Sequence, residues 1–200
     1  DDHVFSQAIK ESPPVILVSS LNYDNTSAFP AETIHYYHAT GGIETHLGNT
    51  GVVRKLHRAN NSATPPMYQT ILQATSKTAP TPYTGYINFY GPEFTFLYLS
   101  YADVLNGKFE PEFFQDKYVF IGAQAIGLGD IHITPFSNQH PTPGVEIQAT
   151  ILNNMLMNEN LDAISTKLVF TVCLVLLFFL FRDSRSELFI ICFLTLIMMG

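Results

Sequence analysis

The sequence predicts an α/β domain built on a mostly parallel sheet flanked by helices, followed by a transmembrane helical hairpin. Three observations carry this. Apolar runs at 15–21, 85–92 and 118–123 have the length and turn-bounded form of buried strands, and stretches of helical spacing separate them. Charge is split unevenly: residues 1–162 hold 7 Lys/Arg against 15 Asp/Glu, while 163–200 hold 3 against 2. Two apolar runs close the chain, "LVFTVCLVLLFFLF" at 168–181 and "LFIICFLTLIMMG" at 188–200, with only "RDSRSE" between them.

The elements follow in order. "DDHVFSQAIKES" sets Val4, Phe5, Ala8 and Ile9 at helical spacing, and Pro13-Pro14 stops the helix. "VILVSSL", 15–21, reads as a strand buried on both faces. Residues 22–46 are irregular. "GNTGVVRKLHR", 48–58, is a turn and a short strand. Pro65-Pro66 opens a helix over "MYQTILQATSK", with Met67, Ile71 and Leu72 on one face. "GYINFYGP", 85–92, is a strand ended by Gly91-Pro92. Ser100 caps a short helix, "SYADVLNG", with Asp103 placed as in a capping box and Gly107 at its end. "EPEFFQDK" is a turn, and "YVFIGA", 118–123, the next buried strand. "PGVEIQATILNNMLMNEN" is a long helix with Val145, Ala149, Leu152 and Leu156 at helical spacing.

The closing segment divides into a first span (163–181), a loop (182–187) and the start of a second span (188–200). The 168–181 run alone rises ~21 Å, short of the ~30 Å hydrocarbon core. Extension back through "LDAISTK" closes the gap, with Lys167 snorkelling to the interface. Arg182 and Arg185 place the loop in the cytoplasm by the positive-inside rule, so residues 1–162 are expected outside. Because the second run stops at Gly200, we expect the chain to be part of a longer protein. Cys173 and Cys192 both lie in the apolar segment, which leaves the outer domain to rely on its core.

Several function classes fall away. The acidic balance and the lack of a basic cluster beyond "RKLHR" argue against nucleic acid. "VFIGAQAIGLGDIHITPF", 119–136, is glycine-rich but has no Lys for a Walker loop, no helix opening inside its glycines, and the wrong spacing for a dinucleotide fingerprint. Asp130 and His132 have no marked nucleophile beside them, and no G-x-S-x-G occurs. Of seven His, only His35 and His38 share helical spacing, without an H-E-x-x-H. No catalytic residue, metal or cofactor is assigned.

The same loop resembles part of a family pattern. Ser-Tyr-x-Asp-Val-Leu-x-Gly at 100–107, a strand ending Ile-Gly-Ala, Gly-Leu-x-Asp at 127–130, Thr-Pro at 134–135 and Pro-Gly-Val-x-Ile-x-Ala at 143–149 stand in order. "YINFYGP" and "GNTGVVRKL" are similar to further segments, with Asn49 or Thr50 where an acid is usual. Together they resemble the CHASE2 family of extracytoplasmic sensory domains in bacterial membrane receptors. The resemblance covers about residues 1–160 and is strongest after 85. It implies a multi-pass receptor of the inner membrane, with 1–162 in the periplasm or outside the cell. It also implies a cytoplasmic output domain beyond this chain: a nucleotide cyclase, histidine kinase, Ser/Thr kinase or diguanylate cyclase. Partners expected on this reading are a small-molecule or peptide ligand, the lipid bilayer and a second copy in a homodimer. The competing expectation is a membrane-tethered protein-interaction module without catalytic output.

Ligands of open parallel sheets gather beyond the carboxyl ends of strands. Those ends are Ser19-Ser20, Tyr90-Gly91 and Gly122-Ala123, which points to a pocket of Arg54, Asn88, Tyr90, Gly122, Gly127, Gly129, Asp130 and His132. Each has a structural alternative. Asn88 can satisfy a neighbouring backbone, and Asp130 can clamp its loop or pair with Arg54. Glu146 reads as a structural acid at a helix start.

Overall fold

The computed structural model describes residues 2–21, 27–28, 30, 34–43, 45–48, 50–56, 64–75, 83, 85–124, 130–137 and 140–181. The chain divides into two compact units, Asp1–Leu161 and Asp162–Gly200.

In the first unit α1 (Asp2–Glu11) ends before the two prolines and buries Ser6 and Ile9. Val4 and Phe5 remain exposed. The Ser6 hydroxyl accepts the His35 N–H at 3.0 Å. Strand β1 (Ile16–Leu21) lies between β2 (Ser27–Ala28), antiparallel, and β3 (Ala39–Gly42), parallel. Among β1's described side chains Ser19 is the buried one, while Val18 is exposed, so β1 is not covered on both faces. Strands β4 (Thr45–Leu47) and β5 (Val53–Leu56) form an antiparallel hairpin around the expected turn. Helix α2 (Met67–Ala74) starts after Pro66 and lays Met67, Tyr68, Ile71 and Leu72 into the core.

The α/β class holds, but the mostly parallel sheet does not. Among the described strands one pair is parallel and three are antiparallel, counting β6 (Ile131–His132) with β7 (Thr142–Pro143). The connections explain this. A parallel pair needs a crossover of a dozen or more residues, and the links from β4 to β5 and from β6 to β7 are shorter. Residues 87–90 are likewise no ladder strand. Tyr86 makes single bridges to Lys55 and Leu161, and Ile87 donates to the Arg54 carbonyl at 2.9 Å. The expected strand at 118–123 is also absent. Val119 and Ile121 are 57% and 78% exposed, and only Phe120 packs on the core.

Helix α3 (Tyr101–Leu105) follows Ser100, but the Ser100 side chain makes no cap bond; Asp103 pairs with Lys108 instead. A single turn of 3₁₀ helix covers Pro111–Phe114. Helix α4 (Gly144–Met157) fills the centre, with Ile147 and Ile151 packed against Val53, Ile87 and α2. Its buried face runs through Ile147, Ile151 and Asn154, whereas Val145, Ala149 and Leu156 are half-buried. The chain then turns back: Tyr86 N–H donates to the Leu161 carbonyl at 2.8 Å, and the Tyr83 hydroxyl donates to the same carbonyl.

In the second unit α5 (Thr166–Phe181) is apolar around its circumference, and most of its described large side chains are exposed. Its 16 residues rise about 24 Å. Among the described residues no helix is long and apolar enough to cross a membrane. The loop at 182–187 and the run at 188–200 lie outside the described residues.

Candidate functional site

Two groups of polar side chains form at opposite ends of α4. At its C-terminal end Asn154, buried, holds residue 88 by both backbone groups. Asn154 Oδ1 accepts the Asn88 N–H at 2.9 Å, and Nδ2 donates to the Asn88 carbonyl at 3.0 Å. The missing ladder partner of residues 87–90 is thus replaced by a side chain. Nδ2 also reaches the Tyr90 hydroxyl at 2.8 Å, which in turn donates to Glu159 at 2.8 Å. Burial and then the bond to the Glu159 carboxylate push the Tyr90 phenol above its ordinary pKa.

At the N-terminal end the buried Glu146 carboxylate takes three donors. Phe94 N–H lies at 3.0 Å, Thr95 N–H at 2.8 Å and the Tyr98 hydroxyl at 2.8 Å. Burial, followed by the hydrogen bond to Glu146, pushes the Tyr98 phenol strongly upward. Phe94 sits at φ +67°, in the left-handed region that a bulky side chain rarely adopts. Such a conformation survives where its surroundings over-determine it. Here two consecutive N–H groups are fixed on one carboxylate, and the Phe94 ring packs edge-on against Tyr98, centroids 5.1 Å apart.

The glycine loop meets this same end. A Cβ on Gly122 would fall 2.6 Å from Val145 Cβ, so glycine lets this segment close onto the first turn of α4. Gly144 donates its N–H to the Asp130 carbonyl at 3.0 Å, and a Cβ there would overlap the Asp130 carboxylate. Asp130 Oδ1 lies 3.2 Å from His132 Nε2. In the β6–β7 ribbon Ile131 faces Pro143 and His132 faces Thr142. Neighbours along a strand point to opposite faces. One face therefore carries Asp130, His132 and Thr142, and the other carries Ile131 and Pro143.

An open cleft of about 720 Å³ lies on the Ile131–Pro143 face, lined also by Glu93, Phe94, Gln124, His140 and Pro141. That size suits a small-molecule site. Glu93 Oε1 and His140 Nδ1 are 4.0 Å apart.

The eight residues picked from the sequence do not form one pocket. Gly122, Asp130 and His132 gather at the start of α4. Asn88 and Tyr90 belong to the other end, and Arg54 is exposed on β5 without an ion pair to Asp130. Gly127 and Gly129 lie outside the described residues. Sequence reasoning missed Glu93, Phe94, Gln124, His140 and the gripping role of Glu146. The Gly91-Pro92 turn was the available signal for the first two, since a turn at an unladdered segment aims the next side chains outward. Among the described residues no hydroxyl is seen bonded to the Asp130–His132 pair, and those of Thr134, Ser137 and Thr142 bond one another at 3.1–3.4 Å. Among the described residues no group of three or more His, Cys, Asp or Glu could hold a metal ion.

A family model for the CHASE2 domain matches residues 1–182. This chain belongs to the CHASE2 family. The family consists of extracytoplasmic sensory domains, so the arrangement at the start of α4 belongs to a sensory, non-catalytic domain. No curated protein and no solved structure matches the chain.

Proposed function

We propose that residues 1–162 are the outer ligand-sensing domain of a multi-pass inner-membrane receptor. Ligand binding near the start of α4 would be passed through the following helices to a cytoplasmic cyclase or kinase output. The junction carries this reading. Leu161 is held to the domain by Tyr86 and Tyr83, and α5 starts after only four further residues. A displacement of the held point therefore has little slack chain in which to dissipate. The apolar circumference of α5 supports a lipid-facing span, completed by residues upstream of Thr166. Gly122, Asp130 and His132 are proposed as the frame of the ligand site. Arg54, Gly127 and Gly129 are kept as candidate members of that site, whereas Asn88 and Tyr90, held at the other end of α4, are left out of it. The receptor is taken as a homodimer, the arrangement that cyclase and kinase outputs use.

Topology reporters test this. A reporter active only outside the cytoplasm should be active when fused after Asn160 and silent after Ser186. Activity at both points, or the reverse pattern, overturns the receptor topology. Two glycines inserted between Ala163 and Ile164 should then abolish the response of the output while leaving ligand binding intact.

A second reading, a tethered protein-interaction module, is favoured by the exposed Val119 and Ile121 in residues 117–124, which pair with no described strand. A partner protein lost from the chain on Ile121→Asp, with no small ligand bound, would support it over the first.

A further inference from the structure

We propose that the cleft beside the start of α4 binds a small organic cation, an amine with an apolar flank. The inference rests on the sensing reading and names the class of ligand sensed. The apolar walls are the Phe94 ring, Ile131, Pro141 and Pro143, and the polar groups are Glu93, Gln124 and His140. None of these lining residues is Lys or Arg. An anion would meet the Glu93 carboxylate, and the one group there that can become cationic, His140, already lies 4.0 Å from that carboxylate. The start of a helix attracts anions in general. At α4 that attraction is already answered, because the Asp130 carboxylate lies against Gly144.

The positive evidence is Phe94. Phe94 lines the cleft and is 55% exposed, yet its backbone is fixed in a left-handed conformation by Glu146. An aromatic residue held in place and a carboxylate lining the same cleft are the two kinds of group that recognise ammonium, by ring quadrupole and by charge. Ile131, Pro141 and Pro143 supply contact for an alkyl or aryl flank but no hydrogen-bond donor. The acidic balance of residues 1–162, 7 Lys/Arg against 15 Asp/Glu, draws cations toward the domain.

The test is titration calorimetry on the full chain with n-butylammonium, tetramethylammonium and phenethylammonium, each against n-butyrate at matched ionic strength. At least one amine should bind saturably and butyrate should not. Glu93→Gln should weaken that amine about tenfold, the loss of one charge-assisted contact. Phe94→Gly should weaken it about fivefold. Glycine adopts the left-handed turn freely, so Phe94→Gly removes the ring without straining the fold. The proposal is overturned if no amine binds, if butyrate binds instead, or if both variants bind as the parent does. The sensing reading fails separately: an amine that binds at the cleft but leaves the receptor's output unchanged would keep the site and remove its signalling role.

Discussion

The two ends of α4 solve one problem in different ways. At each end a buried polar side chain grips a segment that has no strand neighbour. Asn154 grips Asn88 through one N–H and one carbonyl, both neutral, on backbone that does not enter the left-handed region. Glu146 grips Phe94 and Thr95 through two N–H groups and Tyr98 through its hydroxyl, and the backbone it holds is left-handed. A neutral two-way grip leaves the chain where it would rest anyway. A carboxylate with three donors is strong enough to hold a residue out of its preferred region. The C-terminal end also has a left-handed residue, Asn158 at φ 56°, but asparagine adopts that region far more readily than phenylalanine. The end that holds Phe94 there is the end with the open cleft.

The comparison can be broken most directly at Glu146. Glu146→Ala strands three donors, and we expect a loss of roughly 3 kcal/mol or more, read from the urea midpoint of the full chain. Glu146→Gln keeps one acceptor oxygen and should cost less. Asn154→Ala should cost about 2 kcal/mol, because two backbone groups of Asn88 lose their partner. If Asn154→Ala proves the costlier change, the unequal roles assigned to the two ends are wrong.

Alkaline pH sharpens the same contrast. Tyr98 titrates above the ordinary 10.0, so the folded state holds that proton more tightly than the unfolded chain does. Its contribution is complete below about pH 10 and is lost as pH rises through the folded value. Denaturant midpoints measured from about pH 8 upward should fall at the alkaline end, and Tyr98→Phe should flatten that fall. The smallest effect is expected at Phe94. Phe94→Gly releases backbone strain but loses the ring contact with Tyr98, for a net change within about 1 kcal/mol of zero by thermal melt. A large loss there would mean that the ring is part of the core and not part of the cleft.

Much of the fold was legible because its signals are local. Pro13-Pro14 marks the end of α1, Pro65-Pro66 the start of α2, and the Gly48–Gly51 turn the β4–β5 hairpin. The segment at 118–123 was not legible, since its apolar composition suits a strand but a ladder also needs a neighbour elsewhere in the chain. The buried face of α4 was legible at Leu152, which is in the core, but not elsewhere, for a related reason. Hydrophobic spacing favours Val145 and Ala149, whereas Glu146 and Asn154 are buried because distant loops bring donors and acceptors to them. Of the candidate site, the glycine-rich motif marked Gly122, Asp130 and His132, which the fold gathers at the start of α4, and the family motifs pointed to the sensory domain. The cleft also draws on the turn after Gly91-Pro92, where the glycine and proline mark the turn but not that Glu93 and Phe94 would line a cleft.

The β6–β7 ribbon has a consequence for where the domain is open to change. Ile131 and Pro143 look into the cleft, while His132 and Thr142, on alternate positions of the same four residues, look the other way with Asp130. Lining and framework are thereby written on opposite sides of one short strip of chain. The side chains facing the cleft can be exchanged while the reverse side goes on anchoring the first turn of the central helix, which makes Ile131 and Pro143 the positions at which the proposed ligand preference is open to change.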